Sequence, residues 1–60
     1  MKAIDKVYSQ LPDTFTRQQV INEAKKQGYS FGLASSLPAK MIYEDLVTRE
    51  DHGHYRKNTN

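Results

Sequence analysis

Apolar residues recur at helical spacing in three separate stretches of this sequence. The first stretch consists of Ile4, Val7, Tyr8 and Leu11. These residues are three or four positions apart, which places them on one face of a helix. Pro12 ends that helix, because a proline pushes the residue before it out of the helical region. The chain has 60 residues and no cysteine, so apolar faces of this kind must form its core without disulfides. We therefore expect one small domain, mostly α-helical.

The second stretch carries local signals for both ends of a helix. Thr16 and Gln19 fit a capping box, in which each side chain binds the free backbone N–H of the other residue. Gly28 suits the position just after a helix, where the backbone commonly turns left-handed. These signals predict a helix from Arg17 to Gln27.

The third stretch has the same apolar period. It consists of Ala39, Ile42, Tyr43 and Leu46, and Leu37 and Val47 widen the apolar stripe. Ser35 precedes it as a candidate N-cap, and Pro38 would then lie in the first turn, where a missing N–H costs little. We therefore predict a third helix from Ser36 to about Val47.

The segment Gly28–Ala34 joins the second and third helices and has no clear period. Its two glycines favour an irregular connection, whereas Ser30 could begin one short helical turn. The sequence leaves both possibilities open. In the irregular form we expect Tyr29, Phe31 and Leu33 to contact the core, although Tyr29 could equally be an exposed contact for a partner.

A tight turn is predicted near the C-terminus. His52 and Gly53 occupy the two central positions of a hairpin, because Gly53 can adopt a positive φ. Strand alternation then directs Tyr55 inward and places His54 and Arg56 together on the opposite face. We therefore predict a short C-terminal β-hairpin.

The apolar faces together define a predicted core. Phe15 and Val20 have the spacing of a hydrophobic staple across the start of the second helix. The expected core residues are Ile4, Val7, Leu11, Val20, Ile21, Ala24, Ile42, Tyr43, Leu46 and Tyr55. This core would hold residues 1–57 in a single domain, and residues 58–60 would form a disordered tail.

Helix, turn, helix, connection, helix and hairpin is the element order of a winged helix-turn-helix domain. The segment Phe15–Gly28 resembles the second helix of winged-helix DNA-binding proteins. Ser35–Val47 and Gly53–Lys57 resemble the recognition helix and the wing of that family. The resemblance implies that the third helix enters the DNA major groove and that the wing contacts the adjacent backbone.

The resemblance also implies which side chains face nucleic acid. They are Arg17, Ser35, Ser36, Lys40, His54, Arg56 and Lys57, with Met41 as a further candidate. We therefore expect a small module that binds double-stranded DNA and serves transcription regulation or a mobile element. The charge indicates only modest affinity, because a net +3 over residues 14–40 is followed by −3 over residues 41–51.

Protein–protein interaction is the alternative function for the same fold. Glu44 and Asp45 repel phosphates, and together with the low net charge of +2 they suit a basic protein partner. The partner would be another protein or a second copy of this chain. The salt dependence of duplex binding distinguishes the two functions, because counterion release requires a steep slope.

Other classes of function have little support. His52 and His54 are too few to hold zinc in a chain without cysteine, so we expect no metal and no cofactor. So short a chain is not expected to be an enzyme, and no residue is assigned a catalytic role. The sequence has neither an apolar run of membrane-spanning length nor a secretory signal pattern. We expect a cytoplasmic protein with no membrane partner.

Replacing Thr16 by alanine tests the predicted capping box. The free energy of unfolding should fall by about 1 kcal/mol, because a backbone N–H at the start of the second helix loses its acceptor. Thermal melts of the Thr16→Ala variant and the parent measure this difference. Identical melting temperatures would contradict the capping box.

Overall fold

Three helices and a three-stranded antiparallel sheet make up the computed structural model, which describes residues 2–58. The elements are α1 (Ala3–Ser9), β1 (Thr14–Thr16), α2 (Arg17–Lys26), α3 (Phe31–Tyr43), β2 (Val47–Asp51) and β3 (His54–Lys57). The strand order is β1-β3-β2. This topology is that of a winged helix-turn-helix, as predicted, and β2, β3 and their turn form the wing. Met1, Thr59 and Asn60 lie outside the described residues.

The described elements share one hydrophobic core. Its buried members are Ile4, Val7, Leu11, Phe15, Val20, Ile21, Ala24, Ala34, Leu37, Met41, Val47 and Tyr55. Tyr8, Tyr29 and Leu46 pack against it partly buried. The helical spacing correctly predicted the contributions of α1 and α2, and both residues of the staple, Phe15 and Val20, are buried in this core.

Strand β1 was not predicted, and it places β3 at the centre of the sheet. Phe15 of β1 lies opposite Tyr55 of β3, and their rings stack with centroids 5.9 Å apart. Stacked aromatic pairs across strands stabilise a sheet beyond the area they bury. A strand of only three residues carries too short a pattern to be seen in the sequence, because it forms only against its partner.

The hairpin turn lies where the sequence predicts it. Gly53 has φ +77°, whereas His52 does not adopt a positive φ, so only one of the two central residues is left-handed. The register also shifts between Arg49 and Asp51, so β2 contains an irregularity before the turn. As predicted, Tyr55 is buried and its neighbour His54 is exposed.

Helix α2 has the predicted capping box. The backbone N–H of Gln19 donates to Thr16 Oγ1 at 3.2 Å, and the backbone N–H of Thr16 donates to Gln19 Oε1 at 2.8 Å. At the other end Gly28 has φ +96° and donates to the carbonyl of Lys25. Tyr29 N–H reaches back to the Ala24 carbonyl at 3.0 Å, which completes a Schellman motif.

Helix α3 begins five residues before the predicted start at Ser36. Ser30 is its N-cap and accepts from the backbone N–H of Leu33 at 3.3 Å, so Ser35 is an internal residue rather than the cap. The connection between α2 and α3 is therefore only residues 27–30. Of the two possibilities for this segment, the helical one holds, and the helix continues without a break into the predicted third helix.

Pro38 explains the misplaced start. Proline is favoured in the first turn of a helix, and Pro38 was therefore predicted to lie in the first turn of the third helix. It is instead the eighth residue of α3, where its side chain is buried and the Ala34 carbonyl lacks the usual partner four residues ahead. Burial of the ring in the core accompanies this missing hydrogen bond.

The buried face of α3 also differs from the predicted face. It consists of Ala34, Leu37, Pro38 and Met41. The predicted inner residues Ile42 and Tyr43 are 42% and 89% exposed, and Ala39 is exposed too. Phe31 and Leu33, which were expected to contact the core, are 60% and 38% exposed. Apolar residues recur at helical spacing on two neighbouring faces of this helix. The face that was predicted to be buried is the wrong one of the two.

Helix α3 ends at Tyr43 rather than near Val47, which instead begins β2. Asp45 has φ +62°, and its N–H donates to the Ile42 carbonyl at 3.0 Å. Leu46 N–H donates to the Met41 carbonyl at 2.9 Å, which makes a second Schellman motif. Asp45 therefore lies past the end of α3 and not on it.

Asn58 is anchored, although the disordered tail was expected to begin there. Its backbone N–H donates to the Leu46 carbonyl at 2.8 Å, and its side-chain amide donates to the Asp45 carbonyl at 2.9 Å. The ordered domain therefore reaches Asn58. For Thr59 and Asn60 the predicted tail lies outside the described residues.

Adjacent alanine substitutions test the phase of α3. Met41→Ala should lower the free energy of unfolding by about 2–5 kcal/mol, because the fully buried side chain leaves a cavity. Ile42→Ala, the matched control, should change it by less than about 1 kcal/mol because Ile42 is partly exposed. Urea denaturation of both variants measures the difference. A larger loss in Ile42→Ala would mean that the other phase is correct.

Candidate nucleic-acid interface

The outer face of α3 is the surface that the helix-turn-helix presents to solvent. At about 100° per residue, the positions opposite the buried face are Gly32, Ser35, Ser36, Ala39 and Tyr43. All are exposed except Ser35, which is half-buried. Four of the five have very short side chains, so the backbone of α3 can come close to whatever binds there. We call these five residues the outer face.

The hydroxyl groups of the two predicted serines bond within α3. Ser35 Oγ donates to the Gly32 carbonyl at 3.1 Å, and Ser36 Oγ donates to the Leu33 carbonyl at 2.8 Å. In this arrangement the oxygen lone pairs of both hydroxyls can accept hydrogen bonds. The structure thus places Ser36 on the outer face and Ser35 at its margin.

Lys40 is exposed at the edge of the outer face and is the one charged residue of α3. It lines a groove between α1 and α3 together with Ser36, Glu44 and Lys2. The sequence analysis missed Lys2, because nothing in the sequence indicated that the start of α1 lies beside the third helix. Two cations therefore border the outer face on this side, next to one carboxylate.

The outward face of the wing carries Arg56 and His54, both exposed as predicted. Arg56 Nη1 lies 3.2 Å from Glu50 Oε2. Exposed ion pairs of this kind contribute little to stability, so Arg56 can exchange the carboxylate for another anion at small cost. The wing nevertheless presents an ion pair here rather than a free cation.

Lys57 was predicted to face nucleic acid, and its side chain instead turns inward. Its Nζ donates to the Leu11 carbonyl at 2.6 Å and lies 4.7 Å from the centroid of the Tyr8 ring. Both contacts satisfy the ammonium group within the domain. Through these two contacts Lys57 holds β3 against the end of α1. Met41, the further candidate, is fully buried in the core.

Arg17 is exposed at the first position of α2, beside the turn of the wing. Its backbone N–H donates to the Gly53 carbonyl at 3.0 Å, which fixes the start of α2 against the turn. Near this turn Arg49 donates to His52 Nδ1 at 3.0 Å, so the ring acts there as an acceptor. The structure therefore brings Arg17 and the wing turn together.

The site has an apolar component that the sequence analysis missed. The exposed large apolar residues among residues 2–58 are Phe31, Leu33, Ile42 and Tyr43, and all belong to α3. Ile42 and Tyr43 were predicted to belong to the core, and Phe31 and Leu33 to contact it in the irregular form of the connection. Ser30 was the available signal: it was allowed as the start of one short helical turn, and reading it as the N-cap of the whole third helix would have extended that helix over Phe31 and Leu33.

The described residues provide neither a metal-binding cluster nor a membrane-spanning helix. Across residues 2–58 no three His, Cys, Asp or Glu side chains are grouped as a metal site would require. Within the same residues no helix has the length and apolar character needed to cross a membrane.

No family model, curated protein or solved structure matches this chain. The functional argument therefore depends on the geometry of α3 and the wing.

Replacing Lys57 by methionine tests its inward role. The Lys57→Met variant should lose about 1–2 kcal/mol of unfolding free energy, because the hydrogen bond to Leu11 and the contact with the Tyr8 ring disappear. Lys25→Met removes the same charge from an exposed site on α2 and should change stability by less than about 0.5 kcal/mol. Chemical denaturation measures both. Equal stabilities would show that the Lys57 contacts do not stabilise the fold.

Proposed function

We propose that this domain binds double-stranded DNA, with α3 in the major groove and the wing against the adjacent backbone. The observation that carries the proposal is the outer face of α3, which is exposed and lined by short side chains. A helix about 10–12 Å across fits a major groove about 12 Å wide, and short side chains let it approach the base edges. Through this DNA binding the domain would serve transcription regulation or a mobile element.

The short connection between α2 and α3 supports the proposal. Residues 27–30 span four positions, which is the usual length of the turn in a helix-turn-helix. In DNA-binding domains of this kind the second helix crosses the backbone while the recognition helix enters the groove. The exposed start of α2, with Arg17, is then available to a phosphate.

The charge around α3 also supports DNA as the ligand. Between Phe31 and Tyr43 the helix has no acidic residue, and Lys40 and Lys2 border it. Glu44 and Asp45 lie past its last residue, so phosphate repulsion is confined to that end. With so few cations we expect modest affinity that is strongest at low salt.

Docking of a protein partner is the second candidate function. The observation in its favour is that the exposed large apolar side chains of residues 2–58 all belong to α3. A concentration of exposed apolar side chains on one helix of a small domain is typical of a protein interface. Such docking would depend little on salt, whereas DNA binding would weaken steeply with it.

The exchange of Lys40 for glutamine tests the proposed DNA interface. Fluorescence anisotropy with a labelled duplex at several salt concentrations gives the affinity and its salt slope. Lys40→Gln should weaken binding to all sequences alike and reduce the slope by about one unit, because one phosphate contact is lost.

Lys6 provides the matched control for this experiment. It is exposed on α1 and lines a different groove, between α1 and α2, so Lys6→Gln removes the same charge away from α3. Its slope should equal that of the parent. If the parent shows no binding at high micromolar concentration, the DNA proposal fails and protein docking replaces it.

A further inference from the structure

The outer face of α3 lacks the hydrogen-bond donors that recognise guanine. Guanine presents two acceptors in the major groove, and proteins usually meet them with arginine or lysine. Helix α3 contains no Arg, Asn or Gln, and Ser35 and Ser36 donate their protons to carbonyls of their own helix. Lys40 lies at the edge, beside Lys2, where it suits a phosphate better than a base.

Apolar and acceptor groups lie on this face and beside its N-terminal end. Phe31, the first residue of α3, is 60% exposed beside the outer face, and Gly32 and Ala39 on that face leave room for close approach. In the major groove, the thymine C5-methyl group is the apolar feature that distinguishes thymine from the other bases. The paired adenine offers an amino donor, which matches the lone pairs of Ser36.

From this chemistry, and resting on the proposed function, we infer that α3 reads thymine through its methyl group and disfavours guanine. Recognition helices commonly contact bases through their N-terminal residues. Phe31 is therefore assigned the principal methyl contact, and Ser36 accepts from adenine one turn further along the helix. The ligand class is T·A-rich duplex DNA.

The size of the α3 surface favours a DNA groove over a second copy of this chain. Thirteen residues give a helix about 20 Å long and about 10 Å wide, so its exposed side offers a few hundred Å². Stable protein dimers bury about 800 Å² on each partner. The Lys2 and Lys40 cations beside this surface also suit the DNA backbone, which would neutralise them.

Replacing thymine by uracil in one duplex isolates the methyl contact, because only that methyl group is removed. Three labelled duplexes are compared at low salt: a T·A-rich sequence, the same sequence with deoxyuridine for thymidine, and a G·C-rich sequence. The parent should bind the thymidine duplex about fourfold more tightly for each methyl group that α3 covers. It should bind the G·C-rich duplex most weakly.

Two serine variants locate the contact on α3. Phe31→Ser should abolish the preference for thymidine over deoxyuridine. Ile42→Ser is the matched control, because it removes an exposed apolar residue that lies outside the outer face, about 16 Å further along the same helix. That variant should keep the preference. Both residues are exposed, and circular dichroism melts verify that both variants are folded.

Three outcomes would overturn the inference that α3 reads thymine. Equal binding of the thymidine and deoxyuridine duplexes, with Lys40→Gln weakening both, would show that α3 contacts phosphates without reading methyl groups and would leave DNA binding intact. Failure to bind any duplex would overturn the proposed function as well. Sedimentation of the parent as a dimer, lost in Phe31→Ser, would show that this face contacts a second copy instead.

Discussion

Thr16 joins the sheet to the helix-turn-helix, and the arrangement of the site depends on it. As the last residue of β1 it pairs with His54 of β3, while its side chain caps α2. The next residue, Arg17, bonds the turn of the wing through its backbone N–H. Because strand pairing and helix capping share one residue, α2 cannot tilt without disturbing the wing. The start of α2 is therefore fixed against the wing, and together they form the frame on which α3 is placed.

The two Schellman motifs set where α3 begins and ends relative to that frame. Gly28 turns the chain after α2 so tightly that Ser30 already caps α3. Asp45 makes the same turn after α3, and Asn58 binds its carbonyl from the end of β3. The consequence for function is electrostatic, since Glu44 and Asp45 lie past the end of α3 and Lys40 is the one charged residue of the helix itself.

Some cationic side chains of this domain make contacts within it, whereas others are exposed and available to a ligand. Lys57 is held by the Leu11 carbonyl and the Tyr8 ring, and Arg56 is paired with Glu50. Lys40 on α3 and Arg17 beside the wing turn remain exposed. A ligand that depends on many phosphate contacts would find few here, so the shape and chemistry of the outer face must supply more of the recognition.

The sequence by itself determined the features that depend on near neighbours. The capping box of Thr16, the turn after α2 at Gly28 and the hairpin turn at Gly53 each involve residues within a few positions of one another, so their chemistry is visible in the chain. Only the tertiary structure decided which face of α3 is buried, because Met41 and Ile42 both fit a helical apolar period and the shape of the core selects between them. It likewise decided that Lys57 turns inward, since its partners, Leu11 and Tyr8, are more than forty positions away in sequence.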